Sequence, residues 1–178
     1  MGNKELEAIF VKHGFNDFKW IKPEKIIVNQ WVRMKCMFGC PAYGKKACCP
    51  PNMPSISECK NFFNEYKEGV IFHIPKKISH KEEYPAWSNE VNTNLCNIER
   101  DIFLSGYYKA LVTFVNPCSI CKECKSEKAD CVNSSRVRPT PEAFGIDVYA
   151  TARLYDFPID VLTDYEQTMN RYTFLLVE

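Results

Sequence analysis

Apolar residues recur at intervals of three and four positions in several stretches of the chain, which is the spacing of one face of an α-helix. In the stretch 57–67 this face carries Cys59, Phe62, Phe63 and Tyr66. Capping residues precede such stretches, and glycines end several of them. We therefore predict helices over 4–13, over about 57–67 after a cap at Ser55 or Ser57, over about 86–105, and from Pro141 to about Tyr155 after caps at Thr140 and Asp147.

Shorter runs rich in β-branched and aromatic residues separate the helices and predict β-strands. The clearest run is Ala110 to Val115, which leads directly into a cysteine-rich segment at Cys118. The continuous apolar run 70–74 indicates a buried strand, in which we expect His73 to be a structural residue. The predicted strands are 18–21, 26–28, 70–74, 110–115 and 172–177, the last of them forming a hairpin-like pair with residues 160–162.

Helices and strands alternate along the chain, and this order predicts a layered α/β or α+β fold. We expect a small mixed β-sheet covered by helices. The length of 178 residues is typical of one domain, and no linker or repeat divides the chain, so we predict a single domain over 1–178. Two cysteine-rich loops follow the ends of strands, where α/β sheets tend to place functional sites.

Composition narrows the range of functions. The 23 basic and 22 acidic residues give a net charge of +1, and the basic residues form no long stripe with aromatics, so we expect no nucleic-acid binding. The N-terminal segment carries acids where a signal peptide is apolar, and no apolar run approaches the roughly 20 residues of a membrane span. We therefore expect no membrane association and a cytoplasmic protein, in which thiols stay reduced. Its ten cysteines are then metal ligands rather than disulfides.

Four cysteines lie close together near the end of the clearest strand. Cys118, Cys121 and Cys124 have C-x2-C-x2-C spacing, and Cys131 follows after six residues. Thiolates two residues apart on a tight loop point into one concavity, which suits a 4Fe-4S cube that takes several thiolates from a short segment. We expect Cys131 to complete the same site. Structural zinc is the alternative, although zinc sites usually pair two separated C-x2-C knuckles.

A second cysteine group lies between Arg33 and Pro54. Its glycines and prolines predict a shaped loop rather than a helix or a strand. The loop is basic, since no acid occurs between Trp31 and Ser57. A positive field favours thiolates and offsets the negative charge of a thiolate-bound cluster. The cysteines of this loop are Cys36, Cys40, Cys48 and Cys49.

Spacing alone does not decide which cysteines of this first group bind metal. The next ligand beside Cys36 and Cys40 is Cys48 or Cys49, or both of them bind. Consecutive side chains usually diverge, but they can reach different irons. Cys59 is a further candidate, although its helical position favours the core. If only three thiolates bind a cube, one iron is free to bind a small molecule. The separation of the two loops in sequence also allows them to fold onto a single site.

Taken together, the motifs resemble an uncharacterised family of predicted metal-binding proteins, a domain of unknown function. The resemblance rests on the patterns Val32 to Gly44, Cys49-Pro50-Pro51 with Pro54, Cys118-x2-Cys121-x2-Cys124, and Arg138 to Val148. It implies metal or iron–sulfur binding without a settled activity, and it favours Cys49 over Cys48. The expected metal ligands are then Cys36, Cys40, Cys49, Cys118, Cys121, Cys124 and Cys131.

Electron transfer is the function that this arrangement favours. We expect two 4Fe-4S clusters, with about eight irons in all, and a basic loop that docks an acidic redox-partner protein. The alternative is an enzyme whose open iron binds a small molecule, with Arg33, Lys35 or Arg138 holding an anionic group of that molecule or of the cofactor. A metal or cluster carrier and a zinc-stapled structural domain are the remaining alternatives.

Overall fold

The computed structural model describes residues 3–77, 80, 82–164 and 166–178, so the predicted range 1–178 includes six positions outside the described residues. Five α-helices and a four-stranded sheet in the described residues confirm the mixed class. The helices are α1 (Asn3–Lys12), α2 (Gln30–Gly39), α3 (Ile56–Asn64), α4 (Glu83–Leu104) and α5 (Val148–Leu154). The strands are β1 (Phe18–Ile21), β2 (Gly69–Lys76), β3 (Leu111–Val112) and β4 (Met169–Leu176), and short 3₁₀ helices span Pro23–Lys25 and Pro141–Phe144.

The last strand of the chain lies inside the sheet. The strand order is β1-β2-β4-β3, and every pairing among the described strands is antiparallel. The strands β2 and β3, which α4 connects, run in the same direction, but β4 lies between them and pairs with both. The sheet is therefore not mixed as predicted, because the insertion of β4 separates the two parallel strands. Of the two predicted classes, α+β describes the fold.

The two faces of the sheet carry separate apolar cores. One core contains Val70 and Phe72 of β2 and Leu175 of β4. The other core contains Ile71 of β2 and Phe174 of β4. All five side chains are fully buried. A strand that is covered on both faces needs apolar residues at consecutive positions rather than at alternate ones. This accounts for the continuous apolar run that marks β2 in the sequence.

Helices cover both faces. Phe10 of α1 and Leu95 of α4 pack in the core that contains Val70, and Phe63 of α3 and Ala152 of α5 pack in the other. Burial of each large apolar side chain stabilises the fold by about 1.5–3 kcal/mol relative to exposure. In the described part of the chain, no helix is both long and apolar enough to cross a membrane.

The helix caps follow the predicted residues. Ser55 begins α3 with a capping box, in which its side chain accepts from the Glu58 N–H and its own N–H donates to the Glu58 carboxylate at 2.8 Å. Asp147 caps α5 by accepting from the N–H of Ala150 at 2.9 Å. Thr140 caps the 3₁₀ helix, and Gly145, at φ +81°, separates it from α5. The predicted helix over 141–155 is therefore two helices.

Three local predictions about extended or irregular structure were wrong. Residues 30–39 form α2, where a loop was predicted from residue 33 onward. Residues 26–28 make only an isolated bridge from Val28 to Ile146. Residues 160–162 form no strand, because both sides of β4 are already occupied by β2 and β3. The predicted strand 110–115 is confirmed in place, but only Leu111–Val112 pairs as regular strand.

Candidate metal centre

The helix α2 positions the first two cysteines. Cys36 lies in its last turn and Cys40 is its C-cap, with the Cys40 N–H donating to the Cys36 carbonyl at 3.2 Å. Residues four apart at a helix end lie on the same side of the helix, one turn from each other. The buried side chain of Val32 anchors this helix, which contacts the Pro141–Phe144 3₁₀ helix. The C-x3-C spacing is therefore that of two residues one helical turn apart. The helix was not predicted, because Gly44 and the prolines that follow it indicated a loop.

A series of turns brings the next cysteines back towards α2. The N–H of Gly44, at φ +68°, donates to the Pro50 carbonyl at 2.9 Å and closes the segment between them. The Cys49 N–H donates to the Lys46 carbonyl at 3.0 Å. Cys48 and Cys49 end this segment fully buried, at 4% and 5% exposure.

The second cysteine loop leaves the sheet through a fixed entry. The side chain of Asn92 in α4 accepts from the Val115 N–H at 3.0 Å and donates to the Asn116 carbonyl at 3.2 Å. The Phe114 N–H donates to the Pro139 carbonyl at 2.9 Å, which holds the entry of the loop against its exit. Between these points the described backbone forms turns and bends without helix or strand. The base of the loop is therefore tied to the folded core.

The two cysteine segments meet. The Asn52 side chain donates to the Ser126 carbonyl at 2.7 Å and so links the first segment to the second. Cys48 and Cys49 are buried with Val137, and Cys118 and Cys131 pack against them. The alternative that both loops fold onto a single site therefore stays open, since the fold brings the two segments into contact.

The thiols of the first segment affect one another's acidity. Burial, followed by the charge of Cys40 and a hydrogen bond with it, raises the pKa of Cys36 from 9.0 to about 11. The hydrogen bond with Cys48 lowers the pKa of Cys49 below its ordinary value, against the effect of burial. Cys36, Cys40 and Cys49 therefore form an interacting group of thiols.

Cys48 connects this group to the second segment. It is buried beside Cys49, and Cys118 packs against the same buried group. The hydrogen bond with Cys118 acts to lower the pKa of Cys48, but the contact with Cys49 and burial outweigh it, and the pKa is about 11. The hydrogen bond with Cys48 and burial raise the pKa of Cys118. Both thiols are held in the protonated form at neutral pH.

The remaining cysteines of the second loop are half-buried free thiols. The Asn133 side chain donates to the sulfur of Cys121 at 3.0 Å. A hydrogen bond to a sulfur ligand orients that ligand and adjusts its basicity, which makes Asn133 a supporting residue for a metal site. Cys131 packs against the buried group around Cys48, and Cys124 lies in the same loop.

The three predicted cofactor-binding cations lie in different environments. Arg33 donates to the carbonyls of Pro54 at 3.2 Å and Ala143 at 2.8 Å, and so joins α2 to two neighbouring segments. Arg138 forms a bidentate ion pair with Glu99, which also accepts from the Val112 N–H at 2.8 Å. These contacts give both arginines structural roles, so their participation in ligand binding stays a prediction.

Lys35 alone of these cations faces an open surface that the cysteines share. It lies over the Trp31 ring, with its Nζ atom 5.6 Å from the ring centre. Both residues line a groove of about 960 Å³ that Cys36, Cys40 and Cys49 also line. Cys48 does not line this groove. The groove is therefore the route by which a molecule in solution reaches the first group of thiols.

Two other sequence expectations concern residues away from these segments. Cys59 is 1% exposed in the core beneath α3, as its helical position predicted. His73 forms hydrogen bonds with Asp17 at 2.6 Å and Asn170 at 2.8 Å and stacks on Tyr172, which confirms its structural role. The supporting asparagines at positions 52, 92 and 133 were not predicted, since an isolated asparagine has no signal in a sequence.

All ten cysteines are free thiols, and the donors that the two segments bring together are sulfur atoms. Soft sulfur donors suit zinc and iron–sulfur clusters rather than magnesium or calcium, so the chemistry of the set fits a thiophilic metal. In the part of the chain that the structure describes, however, no three His, Cys, Asp or Glu side chains are close enough together to hold a metal ion. Binding would therefore require the thiols to draw closer.

The family model described as predicted metal-binding protein (DUF2284) matches residues 19–177. The match includes both cysteine segments and all four strands except the first residue of β1. It confirms the resemblance expected from the motifs. No curated protein and no solved structure matches the chain.

Proposed function

The chain belongs to the predicted metal-binding protein family DUF2284, and on this basis we propose that it binds two 4Fe-4S clusters and transfers electrons to or from a partner protein. The observation that carries the proposal is the meeting of two cysteine segments whose shared donors are free thiols. Iron–sulfur clusters are held by several thiolates, and C-x2-C-x2-C spacing supplies three of them from one loop.

Each segment would hold one cluster. Cys36, Cys40 and Cys49 would bind the first, and the second would take its ligands from Cys118, Cys121, Cys124 and Cys131. The bound clusters supply one-electron redox chemistry. The protein contributes the amide of Asn133 beside Cys121 and the charge of Lys46, which acts on both Cys49 and Cys118. Such hydrogen bonds and charges set the potential of a cluster.

The surface beside the first site suits a protein partner. Lys35 and Lys45 are exposed there, and Trp31 and Phe38 expose 47% and 76% of their surface. Exposed aromatic residues among cations are typical of protein contacts, and positive charge attracts an acidic partner at a rate that salt reduces. Binding of an acidic redox partner at this face is therefore expected to weaken as ionic strength rises.

Metal analysis of protein purified without oxygen tests the proposal directly. We expect a brown protein with about eight irons and eight sulfides per chain, and an EPR signal after reduction with dithionite. Cys36→Ser and Cys121→Ser should each lose part of this iron, whereas the core substitution Cys59→Ala should retain it all. A colourless protein that contains only zinc would disprove the proposal and leave the zinc-stapled alternative.

Small-molecule binding at the first site is a second candidate, and the groove of about 960 Å³ favours it. The groove opens onto Cys36, Cys40 and Cys49, and three thiolates leave one iron of a cube without a protein ligand. Lys35 lies at the same groove and would attract an anion. The test is the EPR or Mössbauer spectrum of the reduced protein with and without cyanide. A changed spectrum supports an open iron, and an unchanged one favours electron transfer alone.

A further inference from the structure

Cys48 belongs to neither set of predicted ligands, yet its thiol lies at the centre of the cysteine region. It is 4% exposed and contacts cysteines of both segments. A small buried thiol can be an ordinary core residue, as Cys59 is. The neighbours of the two residues distinguish them: Cys59 packs among apolar side chains such as Phe63, whereas Cys48 packs with Cys49, Cys118 and Cys131.

The thiol of Cys48 is directed to the second segment. Cys118 packs against the buried group that contains Cys48, and its side chain acts to lower the pKa of the Cys48 thiol. Cys131 packs against the same buried group. The first cysteine of the C-x2-C-x2-C motif and the cysteine that follows this motif therefore both pack against the buried group that contains Cys48, although 70 and 83 positions separate them from it in the sequence.

The neighbouring residue, Cys49, is grouped with the cysteines of the first segment. It lines the groove together with Cys36 and Cys40, and the charges of these two thiols act on it. Cys48 does not line that groove, although it is buried beside Cys49. Cys49 is thus associated with the first segment and Cys48 with the second.

A contact outside the cysteines supports the approach of the two segments. The side chain of Asn52 donates to the carbonyl of Ser126 at 2.7 Å, and its own N–H donates to the Cys49 carbonyl at 3.0 Å. The same asparagine thus holds the end of the Cys48–Cys49 segment and the loop between Cys124 and Cys131. The approach of the two segments does not depend on the thiols alone.

We propose that Cys48 and Cys49 join the two metal sites, with Cys49 a ligand of the first site beside Cys36 and Cys40 and Cys48 a ligand of the second site beside Cys118. The inference rests on the proposed binding of metal and adds a ligand to it. Consecutive Cα atoms are about 3.8 Å apart, so ligands on neighbouring residues keep the two sites within direct magnetic contact. Electrons would pass between the sites without leaving the protein.

Single substitutions separate the two sites. In protein purified without oxygen, Cys48→Ser should lose the same iron and the same EPR signal as Cys118→Ser, about four of eight irons. Cys49→Ser should instead lose the signal that Cys36→Ser loses. Cys59→Ala, also a buried thiol, is the control and should keep both signals. Broadening of the EPR spectrum by coupling between the reduced clusters should be present in the wild type and absent from Cys48→Ser.

The outcomes distinguish the inference from the proposed function. A wild type without iron would disprove the proposed function, whereas a wild type with iron that Cys48→Ser leaves unchanged would disprove the inference alone. With Cys48 included, five thiols are available for the four irons of the second cluster. The series therefore includes Cys121→Ser, Cys124→Ser and Cys131→Ser, which identify the cysteine that is not a ligand.

A second measurement does not depend on metal. Diamide oxidises two adjacent thiols to a disulfide and takes up their two protons and two electrons. In metal-free protein we expect it to link the tryptic peptide 47–60 to the peptide 110–122 through Cys48 and Cys118. Cys48→Ala should abolish this link if the contact is between those two thiols. A link made instead through Cys49 or Cys59 would contradict the arrangement, even if Cys48→Ser fails to fold.

Discussion

The sheet and the cysteine region are built on different physical principles. In the sheet, Phe72 and Phe174 are fully buried on paired strands, and helices cover both faces. In the cysteine region, residues 40–54 and 117–139 form turns and bends, which are held by turn hydrogen bonds and by side-chain contacts such as Asn52 to Ser126. Apolar burial stabilises the first region without any ligand, whereas the second gathers thiols that would gain stability from the proposed metal.

This comparison indicates where stability and function lie. The sheet provides a fixed base, to which Asn92 of α4 ties the start of the second cysteine loop. The cysteines of the two segments lie in α2 and in the turns outside the sheet. The two regions should therefore respond differently to substitutions, and the following predictions test that difference.

The largest effect is expected in the sheet. Phe174→Ala removes a fully buried ring from the central strand and leaves a cavity, which should lower the free energy of unfolding by about 3–5 kcal/mol. Urea denaturation followed by circular dichroism measures this. Phe103→Ala, at a ring that is 53% exposed on α4, is the matched control and should change stability by less than about 0.5 kcal/mol. Equal losses in both variants would contradict the assignment of the core.

An intermediate effect is expected where the two regions join. Glu99→Ala removes the anionic partner of Arg138 and the acceptor of the Val112 N–H, so one half-buried cation keeps only carbonyl partners and one edge-strand amide loses its acceptor. We expect a loss of about 2–4 kcal/mol, because breaking a buried ion pair leaves its charge uncompensated. The control is Glu90→Ala at an exposed position of the same helix. An unchanged denaturation midpoint in Glu99→Ala would show that this pair contributes nothing.

A smaller effect is expected at the start of α3. Ser55→Ala removes the capping box with Glu58 and should cost about 1 kcal/mol. Ser57, the other cap considered from the sequence, lies inside the helix and is exposed. Ser57→Ala should therefore leave stability unchanged or raise it slightly, since alanine favours helices. Thermal denaturation of the two variants compares them, and a larger loss in Ser57→Ala would reverse the assignment of the cap.

The last test is the response of the metal-free cysteine region to alkaline pH, whose size depends on how far the pH is raised. The pKa of Cys36 and that of Cys48 are each raised from 9.0 to about 11 in the folded protein. Below pH 9 these thiols are protonated in both states, so stability is fully present, and it falls as the pH rises through about 11 because the unfolded chain ionises first. Urea midpoints between pH 7 and 10.5 measure the slope. The double variant Cys36→Ser/Cys48→Ser should show a shallower slope, and an unchanged slope would contradict the raised pKa values.

The sequence predicted elements well where one physical signal dominated. The apolar run of β2 and the Ser55 and Asp147 caps are local patterns, and the structure contains each of them. The helix α2 was missed because Gly44 and the prolines after Gly39 predicted a loop. The helical pattern of residues 30–39 is weak, since only Val32 is buried. The direction of the strands was also missed, since nothing in the local pattern shows that β4 inserts between β2 and β3.

For the candidate site, spacing identified the two cysteine segments but not their relation to each other. The C-x2-C-x2-C motif is a local property of one loop, and the family match agrees with the metal binding that it implies. The contact of Cys48 with Cys118 and the support from Asn52 and Asn133 depend on chain segments that are far apart in sequence. No spacing rule can indicate such contacts.

By itself, the sequence determined the donor chemistry, the main helices and strands, and the family, because thiol identity, hydrophobic periodicity and motif spacing are all local properties of the chain. The tertiary structure alone decided that the sheet is antiparallel, that Arg138 pairs with Glu99, and that Cys118 and Cys131 pack against Cys48 and Cys49 while Cys49 also lines the groove. These features arise from the packing of distant segments around two cores, where the position of each element depends on all of the others.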